Sequence, residues 1–190
     1  MPARLIIPYA RLTDVQWAAL LPYLPPRGVG RPCDLRAQFD AFFRVAATEG
    51  AWRELPAEFG HGASVARQFR RLSHAGLWER LLLALAAAPA GHALRGLEGF
   101  ICRAARRAVR LRGLGLIVLA RRLNLLRALP GPSWMVADPA LSEIIRHLDI
   151  RARILRRGRA AREFLRALKH LHTLAGGRSY IPRTLRECWK

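Results

Sequence analysis

Apolar residues in this chain recur every three or four positions and nowhere alternate over a useful length, so the chain is confined to helices. The spacing predicts an all-α protein. The sharpest instance lies between Ser64 and His74. Val65, Phe69 and Leu72 share one stripe at about 100° per residue, and Arg67, Arg70, Arg71 and His74 lie opposite, with Gln68 near the edge. One face is suited to packing. The other offers guanidinium groups, which pair with phosphate or guanine, and an amide of the kind that reads adenine. A short helix from Trp52 to Pro56, a turn at Phe59-Gly60-His61-Gly62 and a cap at or just before Ser64 would make residues 64–74 the recognition helix of a helix-turn-helix. Trp78, Leu81, Leu82 and Leu85 then predict a support helix over 75–88.

Upstream, residues 1–12 read as extended. Thr13 followed by Gln16 forms a capping box for a helix over 14–23, which Pro25-Pro26 stops. Gly28-Val29-Gly30-Arg31-Pro32 resembles the core of a minor-groove AT-hook but lacks its first arginine. It reads either as a DNA-contacting arm led by Arg31 or as an ordinary turn. Asp34 is an N-cap, and Leu35, Phe39, Phe42 and Ala46 stripe the helix that follows, with Glu49-Gly50 as its stop. Ala88-Pro89-Ala90-Gly91 is the expected domain border. It leaves a DNA-binding domain at 12–88, an Arg-rich helical region at 92–175 and a basic tail at 176–190.

Charge points the same way. The net charge is +20, and only Lys169 and Lys190 of the 33 basic residues are lysine. Residues 1–91 hold 11 basic and 7 acidic side chains; residues 92–190 hold 22 and 6. An excess of this size draws polyanions through counterion release. In the second half, the spacing predicts helices over 92–112 and 116–129, then one that Asp138-Pro139 starts. A last helix carries Phe164, Leu165, Leu168 and Leu171 and ends at Gly176-Gly177. In the first of these, Arg103, Arg106, Arg107 and Arg110 form a stripe opposite an Ala-rich face. Three readings stay open for it: a solvated face, a second DNA-phosphate surface, or a membrane-surface helix. The Ala-rich face offers little apolar area for insertion, so a membrane partner is not expected.

Other chemistry finds little support. Cys33, Cys102 and Cys188 lack CxxC spacing and any nucleophile signature, and read as free thiols in a reducing compartment. His170 and His172 point to different helix faces, so no metal site is expected. Trp17, Trp52 and Trp78 sit at apolar positions and read as core. Trp134 and Trp189 lie in loop-like sequence without an assigned role. No uncharged apolar run approaches the roughly 20 residues that span a bilayer.

Residues 12–85 resemble the N-terminal domain of bacterial insertion-sequence transposases of the DDE class, the group related to insertion sequence five. The resemblance rests on Leu12-Thr13-Asp14 with Gln16-Trp17, Leu24-Pro25-Pro26, Gly30-Arg31-Pro32 and Asp34-Leu35-Arg36. It continues through Gly50-Ala51-Trp52-Arg53-Glu54-Leu55-Pro56, Phe59-Gly60, Ser64-Val65, Phe69-Arg70-Arg71 and Gly76-Leu77-Trp78-Glu79-Arg80-Leu81. It implies a helical DNA-binding module and a double-stranded DNA partner. The family's nuclease gathers three carboxylates around two metal ions. Here the acids after residue 91 are only Glu98, Asp138, Glu143, Asp149, Glu163 and Glu187, none after a strand. We therefore expect no catalytic residues, no metal and no cofactor. The expected DNA-binding set is Arg31, Arg67, Gln68, Arg70, Arg71, His74, Arg103, Arg106, Arg107 and Arg110, in a cytoplasmic, nucleoid-associated protein that forms a homo-oligomer or joins a separate catalytic subunit. A helical oligomerisation or anionic-membrane-surface protein, or a truncated transposase remnant, is the alternative.

Overall fold

In the computed structural model, which describes residues 7–26, 34–148, 158–178, 181–182 and 184–185, the chain is all-α and no strand occurs among those residues. It divides into two compact units, the first running to Ala128 and the second covering Leu129–Trp189.

In the first unit, α1 spans Asp14–Leu20 behind the expected capping box: Gln16 N–H donates to Thr13 Oγ1, and Thr13 N–H donates to Gln16 Oε1. The helix is shorter than predicted. Pro22 has no N–H to extend the α-helical ladder, and the chain tightens into a 3-10 turn at Leu21–Tyr23. Of the stretch 1–12, residues 1–6 lie outside the described residues; residues 7–12 form no helix and are pinned. Leu12 N–H donates to the buried Asp40 carboxylate at 2.8 Å, and Arg36 bonds both Leu12 O and Asp14. Helix α2, Leu35–Thr48, starts at the Asp34 cap. It ends on Glu49 in the left-handed region, φ 54°, rather than on Gly50. A non-glycine residue there costs roughly 1–2 kcal/mol, and the ion pairs that Glu49 makes with Arg103 and Arg106 hold it in place.

The helix expected from Trp52 to Pro56 is a single 3-10 turn, Trp52–Glu54, followed by another at Ala57–Phe59. Five residues bounded by Gly50 and Pro56 are too few for an α-helix, and proline disfavours helical geometry at Leu55. Helix α3 spans Gly62–His74, so Ser64 lies inside it; its N-cap, His61, makes no side-chain capping bond. The start is set by packing: a Cβ on Gly62 would overlap the Trp52 carbonyl. Helix α4, Leu77–Ala87, follows a left-handed Gly76. Trp78 is fully buried and its indole N–H donates to Ser73 Oγ at 2.9 Å, which in turn donates to Phe69 O.

The expected border at 88–91 is a turn inside this unit. The helix predicted over 92–112 divides into α5, Ala93–Gly96, and α6, Glu98–Arg112, because the two pieces have different neighbours. Helix α5 meets α1, and α6 lies against α2, α3 and α4. Small residues on α6, Cys102, Ala104, Ala105 and Ala108, are all buried and allow this close approach, while Phe100 stacks on Phe43 at 5.4 Å. Helix α7, Leu114–Arg122, stops where Asn124 turns left-handed, short of the predicted 129; Leu126–Ala128 is a 3-10 turn.

In the second unit, Asp138 caps α8, Pro139–Arg146, with proline in the first turn. Helix α9, Arg159–Gly176, ends at a left-handed Gly177 whose Cβ would overlap the backbone at Ala137. Asp138 N–H bonds Ala175 O and Arg178 N–H bonds Met135 O, tying the two segments together. Ile145, Leu168 and Ala175 form the buried centre, flanked by Leu141, Leu148, Phe164 and Leu171. Much of the expected tail at 176–190 lies outside the described residues. Its Ile181 packs over Gly131.

Candidate nucleic-acid interface

Helix α3 presents the two faces its sequence implied. Val65, Ala66, Phe69, Leu72 and Ser73 are buried. The Phe69 ring sits in an aromatic cage, 5.4 Å from Phe42, 5.1 Å from Trp52 and 5.2 Å from Trp78. This cage fixes the helix about its own axis. Arg67, Arg70, Arg71 and His74 are exposed on the opposite side, and no acidic side chain pairs with them among the described residues. Arg70 donates a long bond to Ala66 O within its own helix, at 3.4 Å. Four basic groups at i, i+3, i+4 and i+7 thus form a solvent-facing row on a rigid support.

Gln68 is placed differently. It is half-buried, and its Nε2 is enclosed without a hydrogen-bond partner among the described residues. Its position, one residue from Phe69, turns the amide towards the protein. In this geometry it does not reach outward with the arginines. Arg31 lies outside the described residues.

The stripe on α6 does not form an exposed face, because three of its four arginines are turned into the first unit. Arg103 is buried and paired with Glu49. Arg106 binds the same carboxylate at 2.9 Å and donates twice to Arg127 O, at 2.6 and 3.2 Å. Arg107 donates to Gly50 O and lies over the Trp52 ring. Burial pulls the guanidinium pKa of Arg106 and Arg107 below the ordinary value, with Glu49 opposing the shift. Only Arg110 of the four is exposed. Periodicity alone could not foresee this, because Glu49, Gly50 and Trp52 lie more than fifty residues upstream.

Arg112 was not singled out by the sequence, and it joins α6 to the C-terminal end of α3. Its Nε bonds Glu79 at 2.6 Å and its Nη1 reaches His74 O at 3.5 Å. Its signal was weak, one more arginine at the end of an arginine-rich helix.

Trp17 packs edge-on against Phe39, and Trp52 against Phe42. Trp134 is 58% exposed, with Arg178 over its ring at 5.8 Å. Cys102 is buried and its thiol pKa is pushed up to about 12, chiefly by burial. Cys33, Cys188 and Trp189 lie outside the described residues. His170 and His172 are exposed, and no group of three His, Cys, Asp or Glu gathers at metal-binding distance among the described residues. Glu98 faces Arg95, Asp138 caps α8, Glu143 binds Arg146 and His147, and Glu163 binds Arg159. No helix among the described residues is long and apolar enough to cross a membrane.

Residues 12–82 match the model of a family described as "Putative transposase of IS4/5 family". Among curated proteins, the chain is 37% identical over 79 residues to "Insertion element IS402 uncharacterized 16.2 kDa protein" of Burkholderia cepacia, with 37% of this chain and 54% of the relative covered. The chain therefore spans about half the length of the curated relative it matches. No solved structure matches. The resemblance of the N-terminal segment to insertion-sequence transposases thus rests on two comparisons. It ends before α6, although α6 completes the packing of that segment.

Proposed function

We propose that this chain is a DNA-binding protein of insertion-element kind, which recognises element ends or a related site through α3. The carrying observation is the row Arg67, Arg70, Arg71 and His74, exposed and without acidic partners among the described residues, on a helix whose other face is locked into an aromatic core. An α-helix fits the major groove, and arginine is the side chain best suited to guanine edges and phosphate. In this reading α3 is the recognition helix. The 3-10 turns at Trp52–Glu54 and Ala57–Phe59, rather than a full preceding helix, set its entry angle. Arg67 and Arg71 are the base-reading candidates, Arg70 and His74 the phosphate contacts, and Gln68 positions the helix rather than reading bases.

Strand cleavage is not assigned to residues 92–190 in this reading, because four of their six acids already serve as caps or ion-pair partners. The carboxylates of a nuclease would come from a separate subunit. A location on the nucleoid follows from the DNA partner. A membrane-surface role for α6 has less support, since Arg103, Arg106 and Arg107 are engaged within the protein.

A gel-shift on the terminal inverted repeats flanking its own gene tests the proposal. The folded chain is expected to prefer those duplexes over scrambled ones, and R67A/R70A/R71A to lose the preference. Equal affinity for both duplexes at low salt would overturn it as a sequence-specific binder.

A further inference from the structure

The first unit turns most of the α6 arginines inward, so the large positive charge of the second half is displayed elsewhere. Helix α9 displays part of it. Arg162, Arg166 and Lys169 lie at i, i+4 and i+7, within about 60° of one another at 100° per residue. All three are exposed. None has an acidic partner among the described residues, and the single acid of the helix, Glu163, is held by Arg159 at 2.8 Å.

The opposite face is already occupied. Ala161, Leu168 and Ala175 are buried, and Phe164 and Leu171 pack with them against Ile145, Leu141 and Leu148. A helix that inserts in a lipid surface must offer its apolar face to the bilayer. In α9 the middle of that face is covered by α8, which leaves a charged row on a folded support. At 1.5 Å per residue the row from Arg162 to Lys169 spans roughly 10 Å, the axial rise of about three phosphates on one DNA strand.

We propose that Arg162, Arg166 and Lys169 of α9 form a second, sequence-independent contact to the phosphate backbone of duplex DNA. The proposal rests on the DNA-binding reading above for the identity of the polyanion, and not on α3 being the helix that reads it. The row is Arg, Arg and Lys with no amide among them, and phosphate contacts from such groups position a protein without reading sequence.

The test uses the full chain, titrated with a preferred and a scrambled duplex at several salt concentrations. R162A/R166A/K169A is expected to weaken binding to both duplexes alike and to reduce the log–log salt slope by about 2–3, near 0.9 per lost phosphate contact. R162K/R166K keeps the charges and should keep the slope. R67A/R70A/R71A should lose preference but retain a salt-dependent component, which the α9 substitutions then remove. An unchanged slope in the α9 variant overturns the proposal and leaves α3 standing. Loss of sequence preference in the α9 variant, with preference kept in the α3 variant, overturns the reading of α3 instead. Anionic vesicles of phosphatidylserine and phosphatidylcholine that outcompete duplex DNA at matched salt would overturn the choice of partner. All three positions are exposed, so circular dichroism should show unchanged helix content.

Discussion

The guanidinium of Arg107 lies 5.0 Å from the centroid of the Trp52 ring and donates a hydrogen bond to Gly50 O. Trp52 in turn lies 5.1 Å from Phe69, the buried anchor of α3. A residue beyond the transposase-like segment therefore holds a residue within it against α3. Replacing Arg107 by Ala removes a half-buried cation–π contact and leaves the Gly50 carbonyl without this donor. The expected loss is about 1–3 kcal/mol. Lysine should restore only part of it, because it cannot stack as a plane. Urea unfolding measures the effect, and an R107A midpoint equal to wild type would refute the role.

Gly62 begins α3 against the Trp52 carbonyl. A methyl group there must displace rigid backbone, so Gly62→Ala is expected to destabilise the protein by about 1–3 kcal/mol despite alanine's higher helix propensity. The corresponding change at Gly115, which has nothing within 4 Å of a built Cβ, should be neutral or stabilising. A pair of thermal melts decides the matter; similar midpoints would mean that α3 can shift without penalty.

Cutting the chain after Ala88 would strip α6 from α2, α3 and α4 and uncover the Phe43 ring that Phe100 stacks on. The fragment is expected to lose its cooperative unfolding transition, whereas one ending at Ala128 should keep it. A sharp transition in the shorter fragment would restore a domain border at 88–91.

The Cys102 thiol pKa is raised from 9.0 to about 12, chiefly by burial. The folded state therefore keeps its proton where the unfolded chain releases it. Its contribution to stability is full below about pH 9 and declines as pH rises towards 12. In a C33S/C188S chain, Cys102 should resist a thiol reagent at pH 8 until denaturant is added. Rapid labelling of the folded chain would contradict the burial.

Incubated with supercoiled DNA and Mg²⁺ or Mn²⁺, the purified chain is expected to leave it intact. Metal-dependent nicking abolished by D138N or D149N would show that these carboxylates do more than Asp138's capping bond indicates.

Features that depend on a few neighbouring residues were legible from the chain alone. Helical period followed from apolar spacing, and the starts of α1, α2 and α8 followed from Thr13 with Gln16, from Asp34 and from Asp138-Pro139. The two faces of α3 were equally plain, because Val65, Phe69 and Leu72 define an inside without reference to anything distant. Tertiary structure decided which basic stripes meet solvent. Arg103, Arg106 and Arg107 share one side of α6 as Arg162, Arg166 and Lys169 share one side of α9, yet Glu49, Gly50 and Trp52 engage the first three, while the side of α9 packed among the described residues is its apolar one. A helical period fixes the angle between residues on one helix. It carries no information about which distant carboxylate or ring will lie beside them. Nor could Pro89 and Gly91 reveal whether their turn separates two domains or folds one helix back onto another, since that depends on the small buried face of α6.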